Sequence, residues 1–308
     1  MSYRYPEYGV RVRAGRPTTS DDSAAGFVVG DRIYDTDNRA LWICRDATAG
    51  DPWWVPVNRA GWVQKVPLTL YGKLLAWWDL NETSGPAVER TGVFNTMLAY
   101  SPRTGIVPIT RAGKTSTYAR RFTQADGSSS LNQYLKIGCP VGLDLRDMHC
   151  YAWVNLRAKG TYQQYFTWRN GNGGQNVFYL GYHWDTDRHI FLVTADGSTN
   201  VNVQAMTFGS PPTDSWQFVE SYVDSTAGQI GIAVNNGSYD TNTFAGPIYQ
   251  NASTVSMMIG GQDVAGSIFT PDGAMQGVAL FNTKLTTAER NALWNSGNGA
   301  RMEGLGKA

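Results

Sequence analysis

The chain has 308 residues, 17% of them charged and 12% aromatic, with 34 glycines and a formal net charge of +1. That length predicts one large or two unequal domains, and the glycine and aromatic content predicts short strands joined by many turns, an all-β protein. The near-neutral charge supplies no field for phosphate backbones or anionic membranes, which excludes nucleic acid and lipid as first-choice partners, and no apolar run approaches the length of a bilayer.

In chain order, residues 1–25 hold little hydrophobic surface and carry Arg4, Arg11, Arg13 and Arg16. A segment that cannot bury enough to fold alone is expected as an extended arm, either a floppy terminus or one that docks on another chain through Arg11 and Arg13. Its opening, "MSYRYPEYGVRVRAG", lacks the apolar core of a secretion signal, so a chain soluble as made, without that export route, is expected. Residues 26–66 read as a small anchoring module. Ile33 and Tyr34, the turn residues 35–38, and the alternation of Leu41 and Ile43 with Trp42 and Cys44 predict a β-hairpin. Residues 53–57 add a third strand. Three short strands are marginal by their own burial, so Trp42, Trp53 and Trp54 either close a mini-core or face a neighbouring subunit. Cys44, Cys139 and Cys150 are odd in number and show no CxxC spacing, and they read as small buried apolar side chains.

From residue 67 the pattern changes scale. "KLLAWWDL" at 73–80 reads as a strand buried on both faces. Further strands are expected at 133–137, 150–156, 163–168, 177–184, 189–194, 216–223, 229–235, 255–260 and 277–282, a series that predicts a sandwich. Asn236-Gly237 is a tight-turn dipeptide that fixes one hairpin. In "LTTAERNALWNSG" the spacing predicts one short helix on a sheet edge. Thr286 caps it, Glu289 completes a capping box, Ala288, Ala292 and Leu293 form its apolar stripe, and Gly297 ends it. Residues 300–308 form a tail.

The run from residue 73 to 299 resembles the concanavalin A-like superfamily, in its laminin-G-like branch. The resemblance rests on "LLAWWDLNETSG", "DSWQFVESYVDSTAGQIGIAVNNG" and "GVALFNTKLTTAERNALWNSGNG". It implies a jelly-roll sandwich of two antiparallel sheets over 67–299. In "GAMQGVALFN" Gln276 stands where that branch usually has an aspartate. Residues 17–57 are similar to a small module of bacteriophage structural proteins, on Asp-Asp-x-x-x-Gly, Gly-Asp-x-x-Tyr-Asp, Trp-x-Cys and the Trp-Val ending. That resemblance implies a virion component such as a tail fibre, spike or capsid-surface protein, assembled in the host cytoplasm and displayed on the virion surface. Its expected partners are other virion proteins and copies of itself, a trimer being favoured.

Concanavalin A-like folds include glycoside hydrolases that place two carboxylates on one strand as Glu-x-Asp-x-(x)-Glu. Glu82, Glu89, Glu220, Glu289 and Glu303 are isolated from such a run, so the expectation is a non-enzymatic protein, with a polysaccharide depolymerase as the alternative. No Gly-x-Ser-x-Gly elbow or phosphate-cradling loop occurs. "HWDTDRH", 183–189, brings Asp185 and Asp187 between two histidines. It reads either as a metal-ligand cluster, calcium included, or as the turn of a hairpin, and the turn is favoured because Asp suits turn geometry and no cage spacing is present. No cofactor is expected. Tyr165, Trp168, Tyr182 and Trp184 flank the loops at one end of the sandwich and read either as side chains of the core and the loop bases, which is favoured because aromatic residues dominate sandwich cores, or as a candidate glycan platform for a host-surface sugar.

Overall fold

A computed structural model describes residues 23–26, 28, 31, 33, 70, 73–82, 87–89, 119–122, 134–137, 145–169, 176–249, 256–261 and 269–300, with the backbone of the further strands named below. The chain divides into two compact units, Met1–Lys65 and Val66–Arg301.

The first unit holds β1 (Tyr3–Tyr5), β2 (Val10–Arg13), β3 (Arg32–Asp35), β4 (Ala40–Asp46) and β5 (Trp53–Pro56), side by side in that order. β2 and β3 run parallel and every other neighbour antiparallel. The expected three-stranded module is therefore a five-stranded sheet, and the segment expected as an extended arm supplies two of its strands. Its low hydrophobicity is offset by period-two alternation of Tyr and Val with Arg, and by backbone pairing that β3 offers to β2. Tyr3 stands opposite Val12 and Tyr5 opposite Val10. Ile33, opposite Trp42, is fully buried. The side chains of Arg11, Arg13, Trp42, Cys44, Trp53, Trp54 and Cys139 lie outside the described residues, as does the tail from 301.

The second unit contains, in chain order, β6 (Leu74–Trp78), β7 (Leu98–Tyr100), β8 (Val107–Ile109), β9 (Ala119–Phe122), β10 (Tyr134–Ile137), β11 (Met148–Leu156), β12 (Gln163–Arg169), β13 (Asn176–His183), β14 (Arg188–Thr194), β15 (Asn200–Gln204), β16 (Trp216–Asp224), β17 (Gln229–Val234), β18 (Asp240–Thr243), β19 (Met257–Ile259), β20 (Gly273–Phe281) and the helix α1 (Thr287–Trp294). They form two antiparallel sheets. The seven-stranded one runs β15-β14-β13-β12-β19-β10-β7. The eight-stranded one runs β18-β17-β16-β11-β20-β9-β8, with β6 also on β20. Between them the inward side chains make one core, in which Trp78 meets Phe166 edge-on at 5.8 Å and Phe166 meets Phe178 at 5.3 Å. Each such ring contributes roughly 2–3 kcal/mol on burial. This is the expected jelly-roll sandwich, and β6 is buried on both faces as its apolar run predicts.

Three local expectations shift. Gly237 N–H donates to the Val234 carbonyl at 3.0 Å, and positive φ falls on Asn235 and Asn236, so the tight turn is centred one residue before Asn236-Gly237. β7, β8, β9, β15 and β18 fall outside the expected strand series, and β15 and β18 do so because they are polar edge strands. Asn242 Nδ2 donates to the Asn202 carbonyl at 2.8 Å, tying the two sheet edges together. In α1 the Thr286 and Glu289 capping box forms, but the buried side chains are Glu289, Arg290 and Leu293, and the left-handed exit is Asn295. The helix lies over the outer face of the eight-stranded sheet rather than on its edge. Trp294 stacks on Trp153 of the central strand β11 at 5.4 Å and 12°.

Candidate functional site

In β13 successive side chains alternate between the two faces of the sheet. Phe178, Leu180 and Tyr182 enter the core, which leaves Tyr179, Gly181 and His183 on the outer face. In β12 a register shift between Gln164 and Phe166 inserts Tyr165 as an extra residue, so Tyr165, Phe166 and Trp168 all point inward. Three of the four candidate platform residues are thereby core side chains, the reading favoured for them. Tyr165 is 0% exposed, Trp168 1% and Tyr182 2%, and a ring without a free face cannot stack on a sugar. Nearness to loops does not decide which face they serve; strand parity does. Trp184, beyond the strand end, is 46% exposed.

Around Trp184 the structure assembles side chains that the sequence had not singled out. Tyr162, just before β12, packs edge-on against His183 at 4.6 Å and against Trp184 at 6.3 Å, and tilted against Phe269 at 6.4 Å. Its hydroxyl donates to Asp185 Oδ2 at 2.5 Å, and that bond holds the phenol above its ordinary pKa. Tyr179, half-buried, lies farther along the same face. The Arg169 guanidinium sits over its ring at 6.0 Å. Burial pushes the Tyr179 phenol up to about 12. Gly181 separates Tyr179 from His183, and a Cβ there would lie 2.3 Å from the Gln163 carbonyl oxygen, so the strand needs glycine at this approach. The result is a shelf of aromatic faces with hydroxyl, imidazole, carboxylate and guanidinium groups at its margins. Such a mixture suits a ligand that has apolar C–H faces and many hydroxyls. The signal was available in the sequence as the same-parity spacing of Tyr179, Gly181 and His183.

Asp185 and Asp187 belong to a hairpin turn. β13 and β14 pair up to His183 and Arg188, and the four-residue loop between them is closed by Asp187 N–H on the Trp184 carbonyl at 3.2 Å, with Asp187 left-handed at φ 54°. The Asp187 carboxylate is engaged by three side-chain donors. Oδ1 accepts from Lys159 Nζ at 2.9 Å and from the Tyr182 hydroxyl at 2.8 Å, and Oδ2 accepts from Ser210. Burial alone would raise this carboxyl, but the donors outweigh it and hold it at about 2. His189 is buried, and both of its nitrogens are used. Nε2 donates to Gln217 Oε1 at 2.6 Å, so Nδ1 accepts from the Tyr165 hydroxyl at 3.1 Å. Burial draws it down to about 4 and keeps it neutral. Among the described residues no three His, Cys, Asp or Glu side chains are placed to hold a metal.

The other carboxylates near the sheets are engaged elsewhere. Glu89 accepts from the Trp77 N–H at 3.0 Å, Glu82 from the Val88 N–H and from Arg120, and Glu289 from Lys73. Glu220, fully buried, receives Arg290 through Nε at 2.9 Å and Nη2 at 2.6 Å, with His149 Nε2 3.2 Å away. Burial would raise Glu220, but these partners hold it below its ordinary value. Cys150 contacts Ser221 at 3.1 Å, and burial pushes its thiol up to about 12, which leaves it inert.

The comparisons with known proteins agree with this architecture. The family model described as "Concanavalin A-like lectin/glucanases superfamily" matches residues 126–289. No curated protein matches the chain significantly. Among solved structures, the chain is similar to domain 4 of AbnA, a GH43 extracellular arabinanase from Geobacillus stearothermophilus, in complex with arabinotriose. The two share 15% identity and a TM-score of 0.52 over 70% of this chain and 96% of that one. It is also similar to the binding domain of botulinum neurotoxin DC in complex with SialylT, at 11% identity and TM-score 0.53, over 74% of this chain and 52% of that one. The botulinum neurotoxin serotype C1 binding domain gives 12% identity and TM-score 0.51 over 74% and 52%. The chain thus spans about half of the neurotoxin chains it matches.

Proposed function

Because the chain belongs to the concanavalin A-like lectin/glucanases superfamily, we propose that its sandwich is a carbohydrate-binding domain without hydrolytic activity, and that the shelf of Tyr162, Tyr179, His183 and Trp184 holds the sugar. The observation that carries this reading is the half-exposed Trp184 ring, joined through Tyr162 to a hydrogen-bonded carboxylate at Asp185. An exposed indole beside fixed polar groups offers a saccharide ring a stacking face and orienting hydrogen-bond partners. A structure of the same fold solved with arabinotriose supports a saccharide as that ligand. The engagement of Glu82, Glu89, Glu220 and Glu289 in structural contacts supports binding over hydrolysis.

On this reading the first unit anchors the chain to a bacteriophage particle as a repeated subunit, a trimer, and displays the sandwich toward the host surface. The support is the sequence similarity of residues 17–57 to phage structural modules. Screening the full chain on a glycan array, beside the W184A variant, tests the binding claim. Retention of one or more glycans by the parent and their loss by W184A is the expected result; an array silent for the parent refutes it. Immuno-electron microscopy of particles, with an antibody against this chain, tests the virion claim, and label confined to the soluble fraction refutes it.

A further inference from the structure

Arg169 closes one end of the shelf, and its surroundings differ from those of other arginines in the sandwich. Arg120 pairs with Glu82 at 3.2 Å, Arg157 with Asp272 at 2.7 Å and Arg290 with Glu220 at 2.6 Å. The Arg169 guanidinium has neither an ion pair nor a hydrogen bond among the described residues, although its Nε is buried. Directly across the strand pair stands Asn176. Its Nδ2 donates to Asn200 Oδ1 at 3.2 Å, while its Oδ1 is buried without a donor. A donor and an acceptor, each without a partner, therefore occupy paired positions at the same end of the shelf, beside the Tyr179 ring.

Withdrawing a guanidinium from water without an anion is unfavourable, and so is burying an amide oxygen without a donor. Burial pulls Arg169 below its ordinary pKa, and Tyr179 opposes that shift only in part. The group stays charged, because guanidinium does not lose its proton in proteins. What would relieve it is an anion whose oxygens match the planar fork.

Resting on the carbohydrate reading above, we infer that Arg169, Tyr179 and Asn176 select an acidic saccharide, one whose ring lies on Tyr179 and whose carboxylate reaches the Arg169 guanidinium. The guanidinium donates to the two carboxylate oxygens, the Tyr179 face covers C–H groups of the ring, and the Asn176 amide oxygen accepts from a sugar hydroxyl. Asp185 lies in the turn beyond His183, whereas Arg169 is at the far end of β12 from Gln163, so the carboxylate binds at the Arg169 end and away from the like charge.

The test uses the full chain and calorimetric titration with tetragalacturonate, its methyl ester, and sialyllactose beside lactose. The acid forms are expected to bind at least about tenfold more tightly than the ester or neutral partner, as hydrogen bonds to a charged group imply. In R169Q that preference should disappear while thermal stability stays the same or rises, because the substitution removes an unpaired buried donor. Y179A should weaken acid and ester alike, and Y179F neither. Added salt should weaken the acid forms alone. Equal binding of acid and ester, an acid preference that survives R169Q, or no binding of either acid at millimolar concentration overturns the inference. Neutral saccharides that bind the parent, are lost in W184A and ignore R169Q would leave the carbohydrate reading intact and remove only this selection.

Discussion

The outer faces of the two sheets are built from similar side chains and end in opposite states. On the eight-stranded sheet Tyr151, Trp153, Phe218 and Tyr222 make an aromatic layer. α1 covers it with Trp294 and Leu293, and Arg290 reaches through to grip Glu220 and to stack on Tyr239 at 4.0 Å. On the seven-stranded sheet Tyr162, Tyr179, His183 and Trp184 keep exposed surface, and Arg169 has a ring beneath it but, among the described residues, no carboxylate. An aromatic row and an arginine are thus structural when an element of the chain covers and pairs them, and available for a ligand when none does. Coverage, more than composition, separates the two.

The sharpest break of this comparison is at the arginines. R290M leaves Glu220 buried beside a histidine without its cation, and should destabilise the sandwich by about 3–5 kcal/mol in chemical denaturation. R169Q should change stability by less than about 0.5 kcal/mol. A similar loss from both would dissolve the distinction. The two tryptophans give the next contrast. Trp168 is buried among Phe178 and the core, so W168A should cost about 3–5 kcal/mol, whereas W184A should be nearly neutral for stability.

Much of this was legible in the sequence, and the exceptions have specific causes. The sandwich strands follow from apolar runs such as 73–80, and the α1 start follows from the Thr286 and Glu289 spacing. The three- and four-residue strands β7, β8 and β9 are too short to show a period, and the polar strands β15 and β18 pair only at edges, where neither face needs an apolar side chain. The helix stripe was misassigned because Glu289 and Arg290 are buried by pairing, with Lys73 and Glu220, a relation that spans too many residues to be read locally. Tyr165, Trp168 and Tyr182 are core side chains, as the aromatic content of sandwich cores favours, and it is the Tyr165 bulge and strand parity that separate them from the exposed Trp184. The arm was underestimated because parallel pairing of β2 with β3 lends it a sheet that its own composition does not imply.

Smaller effects sharpen the account. His189, at about 4 against an ordinary 6.5, stays neutral when folded, while the unfolded chain takes up a proton as pH falls. Stability should therefore decline from about pH 6.5 to pH 4 by up to about 3 kcal/mol and then level, with His149, also lowered by burial, acting in the same direction. Denaturant midpoints across that range, for the parent and for H189Q, check the slope, which should flatten in the variant. A G181A substitution forces a methyl group against the Gln163 carbonyl, and should cost about 1–3 kcal/mol and disturb the shelf as well. Asp187, held at about 2, contributes above its unfolded value near 3.8 and loses that contribution only as pH falls toward 2. D187N should thus give a small loss of thermal stability at neutral pH that narrows at pH 2.

The central claim is that the uncovered face, and not the covered one, meets the ligand. Indole resonances of the labelled full chain, followed by NMR during titration with a saccharide that the array identifies, test it most directly. The account predicts that the Trp184 indole shifts progressively while those of Trp153, Trp168 and Trp294 stay in place; a saturating saccharide that leaves Trp184 unmoved, or that moves Trp294 instead, would contradict it.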